Sequence, residues 1–388
     1  MKFAKRMDVL GTETAFEVLS RARALEAQGK KIIHLEIGEP DFDTPWFIRE
    51  AARAALAHGR THYTPAAGIP ELRQAICDDV QRRRGVTVRP ENVVVTPGAK
   101  PIIYFPITAL IEAGDEVIYP NPGFPIYESV IDFVGGKAVP LHLKEEKEFR
   151  FDLNELEALI TPATRLLIIN SPQNPTGGIL TRDDVRAIAK IVRAHKNLLV
   201  LADEVYKNII YEHEHASLLS EPDMLDRTIL LDGFSKTYAM TGWRLGFGVM
   251  PVELAQKVEK LMINSNSCTA TFVQDAGIAA LRGPHEEVEG FVREFRKRRD
   301  FMVEGLNQIK GVRCLKPGGA FYCFPNISKV PMSSKQLADR LLNEAGVAVL
   351  SGTAFGKFGE GYLRLSYANS IENIQAALQK MKQVIEAL

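Results

Sequence analysis

Between residues 92 and 250 the sequence alternates short apolar strands with amphipathic helices, and this alternation constrains the fold more than any other feature. The helix pattern over residues 71–84, for example, places Leu72, Ile76 and Val80 on one face. Such a pattern is typical of a largely parallel, doubly wound α/β sheet that is covered by helices on both faces. We predict strands at residues 92–96, 116–119, 137–143, 165–170, 198–202, 229–231 and 246–250.

The length of 388 residues is too great for one ordinary core and favours two domains. The pattern changes at Pro251 to mostly helix, and a C-terminal region with short strands and a final amphipathic helix follows. We therefore predict a large domain over residues 46–284 and a smaller α+β domain over residues 285–388, with residues 1–45 packed against the latter. Within this N-terminal segment, residues 32–37 are predicted to form a short strand.

Composition excludes several classes of function. The chain carries 48 basic and 48 acidic residues, and its basic run at residues 294–300 is bracketed by acids, which predicts a solvated helix face and no nucleic-acid partner. The four cysteines lack the spacing of a zinc site or a disulfide framework, and residues 212–215, Glu-His-Glu-His, are interpreted as a solvated loop, so no metal is expected. No apolar run is long enough to span a membrane and no secretory signal is present, so we expect a cytoplasmic protein.

Lys236 follows a buried strand pattern, which is an unusual place for a lysine in a structural role. Burial lowers the pKa of an amine and makes it a nucleophile towards carbonyl groups. The nearby Ser235 hydroxyl and Arg244 guanidinium would suit a phosphate. Taken alone, this stretch leaves two readings open, a site for pyridoxal phosphate or a solvated lysine beside a structural arginine.

Four further strand ends carry groups of chemical interest, and each has an ordinary structural explanation when it is taken alone. Because ligands bind outside the carboxyl ends of the strands in open α/β sheets, all of these groups are expected at one edge. They are Gly98-Ala99-Lys100, Phe124, Asn174, and Asp203 with Tyr206.

Together these groups meet the requirements of pyridoxal phosphate. A carboxylate such as Asp203 keeps the pyridine nitrogen protonated, and Tyr206 and Asn174 can donate to the ring oxygen. Phe124 can cover one face of the ring and Val205 the other. The phosphate would be held by Ser235, Arg244 and the backbone N–H groups of the turn at Gly98, Ala99 and Lys100.

In combination the motifs resemble the class I/II aminotransferases of fold type I, and they are most similar to the subgroup with aspartate and aromatic aminotransferases. The resemblance covers nearly the whole chain in order. The motifs that carry it lie at residues 38–43, 174–177, 203–206, 235–244, 316–322 and 363–368.

The resemblance implies a pyridoxal 5'-phosphate enzyme that moves an amino group between an L-amino acid and a 2-oxo acid by a ping-pong mechanism. Lys236 would be the Schiff-base lysine and would move the substrate α-proton, with Asp203 and Tyr206 as the other catalytic residues. Arg364 would bind the substrate α-carboxylate with Asn174 and the Gly38 backbone. Tyr63 would reach the phosphate in the other subunit, which implies a homodimer with shared active sites.

The sequence says less about the residues that would bind the substrate side chain. No residue is assigned as a second arginine for a distal carboxylate, and Phe16 and Ile37 predict an apolar pocket. This leaves aspartate open as the preferred donor, beside glutamate or alanine with 2-oxoglutarate or pyruvate. Other reactions on the same scaffold, a β-lyase, a decarboxylase or a cyclopropane-forming synthase, remain alternatives, as does a ligand sensor without turnover.

Overall fold

The computed structural model describes residues 1–388, and its strands between residues 93 and 249 fall where the alternating pattern predicts them. They are β1 (Ile33–His34), β2 (Val93–Thr96), β3 (Glu116–Asn121), β4 (Lys137–His142), β5 (Thr164–Asn170), β6 (Leu199–Asp203), β7 (Thr228–Gly233), β8 (Gly246–Val249), β9 (Tyr322–Cys323), β10 (Val347–Ala348), β11 (Leu350–Ser351) and β12 (Leu363–Ser366).

The helices alternate with the strands in the first two thirds of the chain and dominate the remainder. They are α1 (Thr14–Ala27), α2 (Trp46–Ala57), α3 (Pro70–Arg84), α4 (Pro101–Leu110), α5 (Ile126–Phe133), α6 (Leu153–Leu159), α7 (Arg182–Ala194), α8 (Val252–Ser265), α9 (Thr271–Arg282), α10 (Glu286–Asn307), α11 (Ser334–Arg340) and α12 (Ile371–Glu386). None of them combines the length and the apolar character that a membrane crossing requires.

Seven strands form one sheet in the order β2-β8-β7-β6-β5-β3-β4. All are parallel except β8, which runs antiparallel to β7 and to β2. The antiparallel strand follows from its connection, since residues 234–245 contain no crossover helix to return the chain to the opposite edge. The carboxyl ends of β2, β5, β6 and β7 therefore lie at one edge.

Helices cover both faces of this sheet, as the sequence predicts. On one face α4, α5 and α8 pack on alternate strand residues such as Val94, Ile168 and Ile229. On the other face α2, α3 and α9 pack near Leu230, and α6 and α7 pack near Val200. Removing these side chains from water contributes about 1.5–3 kcal/mol for each one that is fully buried, which stabilises the platform on which the strand ends are held.

Two small sheets lie outside the large one. One pairs β1 with β10 in parallel, and the other has the antiparallel order β11-β12-β9. The β1–β10 pair joins the N-terminal segment to the C-terminal region, in line with the expected packing of residues 1–45. The domain boundaries after residues 45 and 284 stay a prediction.

Two expectations about local structure are wrong. The strand predicted over residues 32–37 is limited to β1, because β10 offers only two residues for pairing. The basic run at 294–300 is not a fully solvated face: the Arg299 side chain is buried, and its Nη2 lies 2.6 Å from Glu212 Oε1. Glu212 comes from the segment that was interpreted as a solvated loop, so these two polar stretches neutralise each other.

Candidate active site

A cavity of about 540 Å³ opens at the carboxyl edge of the large sheet. Residues that follow β2, β5, β6 and β7 line it, together with Gly38 from the N-terminal segment and Arg364 from β12. Among the sequence-predicted residues, the structure brings these to the cavity: Gly38, Ala99, Lys100, Phe124, Asn174, Asp203, Tyr206, Ser235, Lys236, Arg244 and Arg364.

Lys236 stands between the large sheet and the N-terminal segment. Its Nζ donates to the Gly38 carbonyl oxygen at 2.5 Å and lies 5.9 Å from the centre of the Tyr206 ring. Burial lowers the pKa of this amine to about 8, with Glu39 and Glu13 raising it and Arg364 and Arg244 lowering it. The neutral, nucleophilic form of this amine is therefore far more populated near neutral pH than it is in an ordinary lysine.

Glycine is required at position 38 by the close packing around the lysine. A Cβ there would overlap the Tyr322 hydroxyl. Because glycine has no side chain, the Gly38 carbonyl can approach Lys236 next to Tyr322.

Asp203 is buried at the end of β6, one strand away from Lys236. Its Oδ2 accepts a hydrogen bond from the Tyr127 hydroxyl at 2.6 Å, and its Oδ1 accepts one from the Val205 N–H at 3.2 Å. Burial raises the pKa of this carboxyl to about 6, although both hydrogen bonds lower it. Such a carboxylate favours a cationic partner, for example a protonated ring nitrogen.

Two tyrosines that the sequence analysis left without a role complete this region. Tyr127 orients Asp203, and the Tyr322 hydroxyl lies 2.6 Å from the Tyr206 hydroxyl. Burial, more than this neighbour, raises the pKa of Tyr206 well above its ordinary value, so the phenol is a donor at neutral pH. Tyr322 ends a motif that carried the family resemblance, whereas Tyr127 had no local signal.

Arg364 is a buried cation that has no carboxylate partner. Its Nη2 donates to the Glu36 carbonyl, its Nη1 lies 3.4 Å from Asn174 Oδ1, and its Nε has no partner. The guanidinium stands over the rings of Tyr322 and Phe355, at 4.5 and 5.0 Å from their centres. Burial lowers the pKa of this guanidinium, which would be stabilised by an incoming anion.

The opposite end of the cavity has the features of a phosphate cradle. Gly98 has φ +85°, and a side chain there would overlap the Arg244 guanidinium. Helix α4 begins at Pro101, so the N–H groups of Ala99 and Lys100 lie at its positive end. With the Ser235 hydroxyl on the cavity wall, these donors fit a phosphate group.

The cavity also contains a charged pair that the sequence did not reveal. Phe16 and Ile37 line it as expected, but Glu13 also lines it and its carboxylate pairs with Lys100 Nζ. That ammonium lies 5.8 Å from the centre of the Phe124 ring. The prediction of an apolar pocket is therefore incomplete, because one cation is present beside the aromatic rings.

Tyr63 lies outside the cavity of its own chain, with 89% of the residue exposed. Its predicted role concerns a second subunit and stays a prediction. Gly98 is adjacent to the cavity residues and acts through its backbone conformation.

Comparison with known proteins adds the family. A model of aminotransferases of class I and II matches residues 30–381. The aspartate aminotransferase of Pyrococcus abyssi is 40% identical over 389 residues, which cover 99% of this chain and 98% of that protein. Aromatic-amino-acid aminotransferase 2 of Thermococcus litoralis is 39% identical over 390 residues, which cover 100% and 99%.

Solved structures agree with the sequence relatives. Aspartate aminotransferase from Thermus thermophilus with maleate is similar with a TM-score of 0.94 at 36% identity, covering 99% of this chain and 100% of that one. The predicted fold type I architecture is thereby confirmed. The chain belongs to the class I and II aminotransferases, and it transfers an amino group between an amino acid and a 2-oxo acid.

Proposed function

We propose that amino transfer by this chain depends on pyridoxal 5'-phosphate held in the cavity, with Lys236 as the Schiff-base lysine. The observation that carries the proposal is the pairing of a lysine of lowered pKa with a buried carboxylate, Asp203, at the ends of adjacent strands. When bound, the cofactor supplies an electron sink for the electron pair released at the substrate Cα.

The residues around the cavity would hold and orient this cofactor. Asp203 would pair with the ring nitrogen, and Tyr206 and Asn174 would donate to the ring oxygen. Phe124 and Val205 both line the cavity and would enclose the ring. The phosphate would be bound by the Ser235 hydroxyl, the Arg244 guanidinium and the backbone donors at Gly98, Ala99 and Lys100.

Lys236 would also move the proton during the transfer. A neutral amine accepts the proton from the substrate Cα and, once charged, returns it at another atom. A pKa near the operating pH suits both directions, because neither the neutral nor the charged form is then rare. The nearby Gly38 carbonyl orients the amine by accepting a hydrogen bond from it.

Arg364 would bind the substrate α-carboxylate, because it is a buried cation without a carboxylate partner. For the substrate side chain, the cavity offers the rings of Phe16 and Phe124 together with Lys100. We infer that acidic and aromatic donors are both accepted, since an acidic side chain can replace Glu13 on Lys100. The relatives described above include an aspartate aminotransferase and an aromatic-amino-acid aminotransferase.

We also propose a homodimer in which Tyr63 of each chain reaches the phosphate in the other. Tyr63 projects from the surface, and Arg244 borders a second depression lined by apolar residues such as Trp243 and Phe272. Sedimentation velocity is expected to give the mass of two chains. Tyr63→Phe should weaken cofactor binding without dissociating the dimer, and a monomer with full activity would contradict the proposal.

The cofactor proposal is tested by the absorbance spectrum of the purified protein after incubation with pyridoxal phosphate. We expect a band in the visible region that moves to shorter wavelength with glutamate and returns with 2-oxoglutarate. No band after addition of the cofactor would contradict the assignment of Lys236. A band that no amino acid moves would show that the cofactor is bound but that Lys236 does not take part in amino transfer.

A further inference from the structure

Beneath the cavity, a cluster of four buried charged side chains lies between α3 and the ends of β6 and β7. Its members are two cations and two anions, with at most 6% of any side chain exposed. We call it the strand-end cluster, and it consists of Arg84, Glu204, Lys207 and Asp232.

Arg84 makes the central contacts of the strand-end cluster. Its Nε and Nη2 donate to Glu204 Oε2 at 3.0 and 2.6 Å, and its Nη2 also donates to Asp232 Oδ2 at 3.1 Å. Lys207 Nζ lies 2.5 Å from the same Asp232 oxygen. One guanidinium therefore holds carboxylates from two adjacent strand ends at once.

The position of these carboxylates in the chain connects the cluster to the cavity. Glu204 directly follows Asp203, and Asp232 precedes Lys236 by four residues. The backbone reinforces the connection, because the Glu204 N–H donates to the Leu231 carbonyl at 2.9 Å.

A second series of hydrogen bonds connects α3 to the loop that carries Lys236. Arg83 Nη1 donates to Asn208 Oδ1 at 3.1 Å, and Asn208 Nδ2 donates to the Thr237 hydroxyl at 3.2 Å. Thr237 is the residue next to Lys236. The end of α3 is thus bonded to both sides of the loop that carries the lysine.

Charges at these positions are not explained by stability alone. Replacing a buried ion pair by packed apolar side chains is often neutral or stabilising. What an arginine fork adds is direction, because its planar donors fix the relative positions of two acceptors. A fixed relation between Asp203 and Lys236 matters, since small misplacements of reacting groups slow a reaction strongly.

We propose that Arg84 is a positioning residue for amino transfer: by binding Glu204 and Asp232 together, it fixes the spacing of the β6 and β7 ends and so of Asp203 and Lys236. The inference rests on the proposed roles of those two residues. Arg84 itself does not line the cavity.

The test compares Arg84→Lys with Arg299→Lys in the cofactor-loaded protein. Lysine keeps the charge but cannot hold two carboxylates in a planar fork. Arg299 is a matched control, because it is also buried and bonded to a carboxylate, that of Glu212, but it makes no hydrogen bond to β6, to β7 or to the residues that directly follow them. Both variants are expected to lower the midpoint of thermal unfolding.

Only Arg84→Lys should change the chemistry, measured well below both unfolding midpoints. We expect the single-turnover rate of the glutamate-induced absorbance change to fall about tenfold, with the dissociation constant of glutamate within about twofold of the parent value. Equal single-turnover rates in the two variants would overturn the proposal. If Arg84→Lys does not fold, Arg84→Gln is measured in the same way, since its amide can reach one carboxylate but not both.

Failure of the positioning role can be told apart from failure of the proposed function. If the cofactor-loaded parent protein shows no absorbance response to glutamate, aspartate or an aromatic amino acid, the proposed roles of Asp203 and Lys236 are wrong. If the parent responds normally and Arg84→Lys responds equally, only the role of Arg84 is wrong.

Discussion

Arg84 and Arg364 are both buried arginines, yet their surroundings are opposite. Arg84 lies between two carboxylates, which raise the pKa of its guanidinium despite burial. Arg364 has no carboxylate partner, and burial lowers the pKa of its guanidinium. The difference separates two uses of a buried charge: a charge that is paired with carboxylates holds the protein in one arrangement, whereas a charge without a carboxylate partner is available to a ligand.

The strongest test of this comparison is removal of the unsatisfied amine, Lys236→Ala. We expect the rate of amino transfer to fall by about 10⁴-fold, because both the nucleophile and the proton acceptor are lost. Folding stability should change little, since no partner charge is left unpaired and only the Gly38 carbonyl loses its donor. Steady-state rates and thermal unfolding measure the two effects.

The exposed Lys257 on α8 provides the control, because Lys257→Ala changes the charge equally and should leave the rate unchanged. Substantial residual transfer by Lys236→Ala would show that another group carries the chemistry.

Arg364→Met and Arg84→Met compare the two arginines directly. Loss of Arg364 should lower kcat/KM by about 100-fold for every amino acid, since the charge-assisted bonds to the substrate carboxylate are lost. The same substitution should leave the free energy of unfolding unchanged or raise it. Loss of Arg84 should instead lower the free energy of unfolding by about 3 kcal/mol, because two buried carboxylates lose the guanidinium and keep only Lys207 at Asp232 and His215 at Glu204.

Denaturant unfolding measures the stability of both variants, and steady-state kinetics measures their kcat/KM. The comparison fails if the two substitutions destabilise the protein by the same amount.

The substitution Asp203→Asn should show that the ionised Asp203 carboxylate destabilises the folded protein. The carboxyl has a folded-state pKa of about 6, above its ordinary value, so the folded state holds more protons than the unfolded state between these values. Stability therefore falls as the pH rises through this window, and it is lowest above pH ~6. In the cofactor-free protein at pH 7, Asp203→Asn should raise the free energy of unfolding by about 3 kcal/mol.

The gain should disappear below about pH 3, where Asp203 is largely protonated in both the folded and the unfolded state. Denaturant unfolding across this range measures it, and a pH-independent difference between the variants would contradict the account.

The smallest effect is expected at Glu13, which partly satisfies the cation Lys100. Glu13→Gln removes the internal competitor for that ammonium and should raise kcat/KM for aspartate about threefold to tenfold. The value for phenylalanine should change little. Lys100→Met is the converse and should lower only the value for aspartate, so an equal effect on both donors would remove Lys100 from side-chain recognition.

The sequence was sufficient for the groups that follow strands. Asp203 ends a strand with a clear apolar pattern and Lys236 follows another, and parallel strands bring their carboxyl ends to one edge whatever the details of packing. The family resemblance was likewise carried by contiguous motifs, and the comparisons confirm it.

The residues that the sequence analysis missed have a different origin. Tyr127 reaches Asp203 from a helix, and Glu13 reaches Lys100 from the start of α1. Neither contact has a local signature, because tyrosines and glutamates occur throughout helices for other reasons. The buried Arg299 was misjudged for the same reason, since its partner Glu212 lies far away in the sequence.

The sequence by itself determined the doubly wound sheet, the family and the chemical groups at the sheet edge, because local periodicity and contiguous motifs specify them. Only the tertiary structure decided which charges are satisfied. Arg84 meets Asp232 across 148 residues of sequence, and Arg364 meets no carboxylate at all. The physical reason is that burial and pairing depend on which surfaces pack together. That packing sets the pKa values of the site and decides which of its charged groups have no carboxylate partner.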